Sequence, residues 1–523
     1  MKTYKILFLL VGLSILGCSD LEEDPVGVLA PEGFFQSTRD IQTAVNSTYG
    51  HMAHEDFWGR KMSLTIMLRS DMVDIGDPTT SSRRIEHNDF NVPDDNGMIS
   101  GYWNRLYQII AAANNAIAGA EQVDAAEGIK NPITAQAYFV RAFIYFHLVR
   151  QFGDIPYIDA PVTDVDAASS ISKTSVADVY TNIIADLEFA KTWLPNTQSA
   201  RSIPAKSAAH SYLALVYLTM GEYQKAYDEA KGVIDNEATY GLALEPDFQE
   251  LFNSATIDGS KEPIFALDFN GFTDGDDGRD YQPPLTGLRN DEQYAPDIVG
   301  GGWSVAVPSL EVFNTWDDQD YRKWVSFDDT AVFKFTDPVT EEVTFEERPY
   351  TVFKESGSSG RGVNRPHIAK YTRMTGPTAT GNGRGSNHNY SMMRYAEVLL
   401  IAAEALNEVN GGSAEAHGYV NRVRERARNG ALGSMPSSFP ADVAGLSQDE
   451  FRTMVLDERR LELAFEFKRW YDIARRKMGS QVFSASGLEG EKPNFDPNQD
   501  YLLPLPADEL ARNSNLLPQN PGY

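Results

Sequence analysis

Apolar residues recur at helical spacing through the first half of the chain. Ile41, Val45 and Tyr49 stand four apart in a segment that starts near Thr38, and Trp103, Tyr107, Ile110, Asn114 and Ile117 resume the pattern, the mark of a helix with one buried face. Asp77-Pro78 and the run Pro93-Asp94-Asp95-Asn96-Gly97 predict loops between them. A further helix is predicted over Ile133 to Gln151, carrying Ala137, Arg141, Phe143, Tyr145, Leu148 and Val149 and stopped by Gly153 and Pro156. The next, Val176 to Trp193, sets Val179, Ile183, Leu187 and Ala190 on one face.

Two later stretches share a plan. From Ala205 to Asn236, Ala214, Tyr217 and Leu218 precede Gly221-Glu222-Tyr223, and Ala226, Tyr227 and Ala230 follow. Small alanines where two helices cross, with an aromatic filling the gap, are close to the tetratricopeptide pattern. Arg394 to Arg428 repeats the plan with Ala396, Leu399, Ala402, Ala403 and Ala405, a Gly411-Gly412 turn, then Ala416, Val420 and Val423. Stacked hairpins bury a shared core. The predicted fold is therefore mainly α, a tetratricopeptide-like helical scaffold over 31–260 and 391–480.

Between the hairpins the pattern changes. Gly271, Gly275, Gly278, Gly287 and Gly300 to Gly302, with Pro283, Pro284, Pro296 and Pro308, exclude long helices and predict a loop-rich insertion over 261–390. Ile264 to Phe269, Ala331 to Phe335 and Val343 to Phe345 read as short extended pieces. Such an insertion on a helical scaffold is a usual place for binding residues. Beyond the second hairpin, one long helix is predicted from Ser447 to Arg476, opened by the capping box Ser447-Gln448-Asp449-Glu450. Leu456, Leu463, Phe467, Trp470 and Ala474 would face inward, and Asp472, Arg475 and Arg476 outward. The remainder, 481–523, is an irregular segment whose Pro-punctuated end must be packed.

At the other end, Lys2 and Lys5 precede an apolar run from Ile6 to Leu16. This is the layout of a secretory signal peptide, too short for the ~20 residues of a membrane span. It stops at Gly17-Cys18, and Cys18 is the only cysteine, so no intramolecular disulfide can form. The pattern resembles a bacterial lipobox, in which the cysteine takes up a diacylglycerol and becomes the new N-terminus, although Leu16 fits it more loosely than a small or β-branched residue. A signal peptide is expected over 1–17 and a lipidated, flexible, acidic tether over 18–30; the alternative is an ordinary signal peptide with an incidental cysteine. Acyl chains contribute roughly 0.8 kcal/mol per buried CH2, so two or three would hold a soluble domain on a bilayer.

The 523 residues, 42% of them hydrophobic, suffice for two domains or one large composite domain. The formal charge is −28, and loss of Lys2 and Lys5 with the signal peptide makes it −30. Such a surface repels phosphate, whereas nucleic-acid binders gain affinity from Lys and Arg, so no nucleic-acid partner is expected. Arg422, Arg424, Arg426 and Arg428 lie in a helical, Glu-containing segment and read as a solvated or ion-paired face.

Several stretches together resemble the SusD/RagB family of outer-membrane lipoproteins. They are Gly17-Cys18-Ser19-Asp20, Arg141-Ala142 through Phe152-Gly153-Asp154-Ile155-Pro156, Arg394-Tyr395-Ala396-Glu397-Val398-Leu399 with Ala403-Glu404-Ala405, Glu458-Arg459-Arg460-Leu461-Glu462-Leu463 with Arg469-Trp470-Tyr471-Asp472, and Asn520-Pro521-Gly522-Tyr523. They follow the family's order over the mature chain. Phe467 departs from it, standing where many members have glycine after the helix glutamate. The resemblance implies an extracellular binding lipoprotein that lids a TonB-dependent, SusC-like transporter, usually for oligosaccharides. It also implies that the helical scaffold docks on that transporter and that the acidic run after Cys18 directs surface export.

Sugars offer apolar C–H faces and many hydroxyls, so their sites combine aromatic platforms with hydrogen-bonding side chains. Trp58, Asp77, Arg83, Asn88 and Phe90 in the early loops, and Tyr281, Tyr294 and Trp303 among the insertion's glycines, are candidates, each aromatic with a competing reading as a core residue. From Lys354 to Arg394 the chain is locally basic, with Arg361, Arg365, Lys370, Arg373 and Arg384 against Glu355. This fits either contact of Arg361 and Arg365 with a carboxylated or sulfated glycan or charge balance against acidic neighbours.

No catalytic residue is assigned. There is no Gly-x-Ser-x-Gly and no His-Glu-x-x-His, and pairs such as Glu458/Glu462 or Asp317/Asp318 abound in an acidic chain, whereas glycoside hydrolysis needs two carboxyls across a scissile bond. The eight histidines lack metal-ligand spacing and are expected at the surface. Asp274, Asp276 and Asp280 suggest calcium, but Leu285 stands where an EF-hand needs Glu; no metal or other cofactor is assigned, with calcium kept as an alternative. Gly381 to Gly385 reads as a loop rather than a phosphate cradle. The expected function is a non-catalytic, cell-surface glycan-binding lipoprotein. Its rivals are an extracellular glycoside hydrolase and a surface tetratricopeptide scaffold that binds protein or peptide.

Overall fold

The computed structural model describes residues 31–523 except 270, 272–277, 290–301, 357–360, 375–385, 432, 434, 435 and 489. The expected signal peptide, Cys18 and the tether, with Tyr294, Asp274, Asp276, Arg384 and the Gly381 to Gly385 run, lie outside the described residues. The chain opens with α1 (Thr38–Met52), α2 (Lys61–Leu68), β1 (Val73–Ile75) and α3 (Ser82–Asn88), then enters two long helices, α4 (Gly97–Gln122) and α5 (Glu127–Phe152). From Thr134 to Phe152 only Tyr138 and Arg150 of α5 escape full burial. A helix apolar on every side belongs in the middle of a protein, and α1, α4 and α6 (Val176–Trp193) pack around it. It starts at Glu127, before the predicted Ile133, because its first turns are polar and carry no apolar signature. Gly153, at φ +71°, ends it.

Both predicted hairpins form, α7 (Lys206–Met220) with α8 (Tyr223–Ile234) and α9 (Tyr395–Val409) with α10 (Ala414–Asn429). Buried Ala209, Ala214, Ala226 and Ala230 in the first, and Ala402, Ala403 and Ala405 in the second, let the axes approach. α8 packs on α9, so the hairpins share a core. In the insertion, β2 (Pro263–Leu267) pairs antiparallel with β6 (Tyr390–Arg394), which runs straight into α9. β3 (Ala306–Pro308) pairs with β1, and β4 (Thr330–Thr336) with β5 (Val343–Pro349). A contiguous body of buried apolar side chains runs from Met52 to Leu516 through scaffold, insertion and tail. The tail is packed: Leu503 and Leu505 are buried, and the Leu503 N–H donates to the Gln151 carbonyl at 2.7 Å. No described helix is long and apolar enough to cross a membrane.

The helix expected from Ser447 to Arg476 is two helices. α11 (Gln448–Glu462) opens on the predicted capping box of Ser447 and Glu450, and α12 (Arg469–Arg475) follows a turn. In that turn Phe465 and Phe467 both take φ +62°, a conformation costing roughly 1–2 kcal/mol for a residue with a side chain. Tertiary contacts outweigh it. The Tyr371 hydroxyl donates to the Phe465 carbonyl at 2.8 Å, the Phe467 ring lies 5.2 Å from Trp58 and 5.8 Å from Tyr371, and the Glu466 carboxylate accepts from Arg394 and Lys370. The departure at Phe467 thus falls on left-handed backbone, where glycine would be at ease.

Two further expectations are overturned by burial. Asp472, Arg475 and Arg476 do not form an outward face: Asp472 accepts from Arg459 at 3.0 Å and Arg475 at 2.8 Å, and Arg475 also donates to Glu404 at 2.7 Å. The histidines are mostly not at the surface, since His54, His87, His147, His367, His388 and His417 are buried. Burial pushes His87 down to about 3 and His367 and His388 down to about 4, so they are neutral polar fillers.

Charged side chains join the insertion to α11. Arg322 donates to Asp320 at 2.8 Å, Glu458 at 2.7 Å and Glu462 at 3.0 Å. Arg394 meets Glu262 at 2.7 Å, Glu466 at 2.8 Å and Glu462 at 2.5 Å, and Arg426 meets Glu262 at 2.9 Å as well as Glu462. Burial would raise the Glu462 carboxyl, but Arg426, Arg394 and Arg322 outweigh it and hold it far below the usual range. The arginine run of α10 is ion-paired, through Glu237 for Arg422, Glu458 for Arg424 and Asp442 for Arg428.

Candidate functional site

The β1–β3 ribbon brings the early loop to the insertion. Val73, Asp74 and Ile75 pair with Pro308, Val307 and Ala306, and beyond the strands the Gly76 N–H donates to the Val305 carbonyl at 3.0 Å and the Asp77 N–H to the Ser304 carbonyl at 2.6 Å. A Cβ at Gly76 would lie 2.3 Å from the Ser304 oxygen, so the close approach requires glycine. It sets Asp77 beside Trp303. Trp303 is half-buried, with its ring 5.9 Å from that of Tyr281, and the Arg60 guanidinium lies 4.6 Å from the Tyr281 ring.

Two carboxylates organise the charges here. Asp77, 2% exposed, accepts from Arg361, from Arg289 at 3.2 Å and from the Thr79 hydroxyl at 2.8 Å. Burial pushes its carboxyl up, yet Arg361 and Thr79 outweigh this and hold it below the ordinary carboxylate range. Asp74 meets Arg365 at 3.0 Å and Lys492 at 3.8 Å, and accepts from the Asn88 amide at 2.9 Å. Arg83 is exposed. Arg84 is half-buried and donates to the Thr80 hydroxyl at 2.9 Å; burial and the neighbouring charges of Arg60 and Arg83 pull it down to about 10.

Of the residues singled out from sequence, Asp77, Arg83, Tyr281, Trp303, Arg361 and Arg365 gather around this ribbon. Tyr281 is buried behind Trp303 and offers little surface. Trp58 is a correction: at 2% exposed it packs against His147 and Phe467 and has no face for a ligand. Asn88 is buried and occupied by Asp74 and Asp89, and Phe90 packs against Trp470, Phe483 and Phe495. In the basic segment Lys370 is paired with Glu466, Arg373 with Asp328 and Arg394 with three glutamates, which is charge balance. Arg60, Arg84 and Arg289 were not foreseen; nothing local distinguishes them from solvated arginines.

The groups considered for chemistry are occupied. Glu458 and Glu462 are buried in ion pairs. Asp280 is buried against the Tyr390 hydroxyl at 2.6 Å and pushed up to about 7 by burial. Among the described residues no His, Cys, Asp and Glu group could hold a metal ion. Two surface features also escaped sequence reading. Trp324, 48% exposed, stacks on Tyr321 with Arg373 4.3 Å away. A groove of about 600 Å³ runs over Trp103 and Tyr107 of α4, between residues 156–171 and 509–516.

Residues 30–218 match a family described as starch-binding and associating with the outer membrane, and residues 358–523 match the SusD family. SusD-like protein P2 of Formosa agariphila is 55% identical over the whole of both chains. The chain belongs to the SusD family. Solved SusD-like structures share its fold. A SusD homolog from Bacteroides thetaiotaomicron superposes with a TM-score of 0.77 at 20% identity, covering 94% of this chain and 98% of its own. A laminarin-binding SusD-like protein gives 0.73 at 24% identity, covering 94% and 100%. The mainly α, tetratricopeptide-like scaffold expected of a SusD-family chain is the one observed.

Proposed function

We propose that this SusD-family protein captures oligosaccharides at the cell surface and hands them, uncut, to a TonB-dependent, SusC-like outer-membrane transporter. The carrying observation is the half-exposed Trp303 held by backbone hydrogen bonds beside Asp77 and its arginines, an aromatic platform and polar groups on loops fixed by a rigid scaffold. The starch-binding family description and the laminarin-binding relative support a glycan as ligand. Cys18, acylated, would anchor the domain to the outer membrane facing the exterior, with the acidic tether as its leash.

Calorimetry against a glycan panel, with a reducing-end assay on the same samples, tests the binding. Affinity without release of reducing ends is expected; release would make the protein a hydrolase. Trp303→Ala should weaken binding about tenfold or more at unchanged melting temperature, and unchanged affinity would remove the site from this ribbon. Cys18→Ala should yield folded, ligand-competent protein off the cell surface. If that variant stays surface-exposed in the membrane fraction, the anchor lies elsewhere.

A further inference from the structure

In a protein of formal charge −28, the charges of Arg60, Arg83 and Asp77 act on Arg84, and Asp77 is itself held by Arg289 and Arg361. Arg289 and Arg361 hold Asp77, Arg60 holds Glu55 and Arg365 holds Asp74. Arg83 and Arg84 hold no carboxylate among the described residues. Arg84 has a hydroxyl, Thr80, as its hydrogen-bond partner, while the like charges of Arg60 and Arg83 act on it and Asp77 lies beyond ion-pair distance. Withdrawing a guanidinium from water without a counter-charge is unfavourable. Arg69, Arg150 and Arg201 also lack carboxylates, but Arg69 lies 4.5 Å from the Trp470 ring, Arg150 lies 3.6 Å from the Tyr471 ring and Arg201 donates to the Gly241 carbonyl at 3.2 Å; Arg84 has neither a ring nor a carbonyl among the described residues.

We propose that Arg83 and Arg84 bind the sulfate or uronate group of an anionic glycan whose sugar ring lies against Trp303. The inference rests on the glycan-binding reading and names the class of glycan. A planar guanidinium meets a carboxylate or sulfate with two parallel N–H···O bonds. Here Arg84 feels the charge of Arg60, whose guanidinium lies 4.6 Å from the Tyr281 ring, and that ring lies 5.9 Å from the ring of Trp303. Anionic polymers are repelled by the rest of the surface, so the contact confers selectivity on one spot.

An array of neutral, uronic-acid and sulfated oligosaccharides selects the probe, and titration follows with the best binder and its desulfated or carboxyl-reduced form. An anionic oligosaccharide is expected to rank first, to bind at least about tenfold more tightly than its neutralised form and to weaken as salt rises; which anionic arm leads identifies the group. The double variant Arg83→Gln/Arg84→Gln should bind both forms alike, at the affinity the native protein shows for the neutralised one. Arg84→Lys, which keeps the charge, should retain the preference and serves with the melting temperature as the folding control. A neutral best binder, or a double variant weakened equally for both forms, overturns the inference, and glycan binding itself stands if Trp303→Ala still weakens it. Binding of an acidic peptide but of no glycan, lost in the double variant, would assign the arginines to protein docking and overturn both readings.

Discussion

The arginines that join the insertion to α11 and the pair Arg83 and Arg84 are the same residue type in opposite circumstances. Arg322, Arg394 and Arg426 are sealed from water, and each faces two or more carboxylates. Arg83 stands in solvent and Arg84, half-buried, meets a hydroxyl. The first set is saturated and serves the fold, because a buried charge tolerates no vacancy. The second retains donors to offer. A net charge of −28 describes neither set: Arg322, Arg394 and Arg426 are paired in the interior, and the informative cations are those the carboxylates leave alone.

The contrast predicts unequal responses to mutation. Glu462→Gln leaves Arg394, Arg426 and Arg322 facing a neutral amide in the interior and should cost roughly 3–5 kcal/mol in urea unfolding; a loss under about 1 kcal/mol would show that the junction is not the saturated cluster described. Next comes acid. Buried histidines bind protons more weakly folded than unfolded, so their stability contribution is complete above about pH 6.5 and is lost as pH falls toward 4. Asp280, raised to about 7, has the opposite sign and offsets part of the loss. Stability should fall between pH 6.5 and 5, and His388→Gln should flatten the slope by up to about 1.4 kcal/mol per pH unit, checked by thermal unfolding across that range; an unchanged slope would mean that His388 takes up its proton as readily in the fold as in the unfolded chain. The smallest effect is expected beside Asp77. The Arg361 side chain is 41% exposed, so solvent screening limits Arg361→Ala to about 1 kcal/mol. A larger loss would place this arginine with the structural set.

What was legible in the sequence was what neighbours in sequence decide. Helix α6 is legible because its apolar face is one-sided and its ends are local, Ser175 capping the start and Pro195 following the stop. The hairpins were legible from alanines and glycines within them. The break between α11 and α12 was not, since no glycine or proline marks it and its causes, Tyr371 and Arg394, lie far upstream. Trp58, set among His54, Glu55 and Asp56, reads locally as a loop, while the rings that bury it come from α5 and the α11–α12 turn. Trp303 is legible as a loop aromatic through its flanking glycines. Arg84 is not, because lacking a carboxylate is a property of the folded neighbourhood.

The β1–β3 ribbon has a consequence for exchanging specificity between such proteins. Trp303 and Asp77 come from distant parts of the chain and are registered by the bond between the Asp77 N–H and the Ser304 carbonyl, under a glycine at position 76 that admits no side chain. A graft of residues 281–304 alone would import a new aromatic platform above the old carboxylate and arginines. To move a ligand preference intact, a chimera has to carry residues 73–84 along with it.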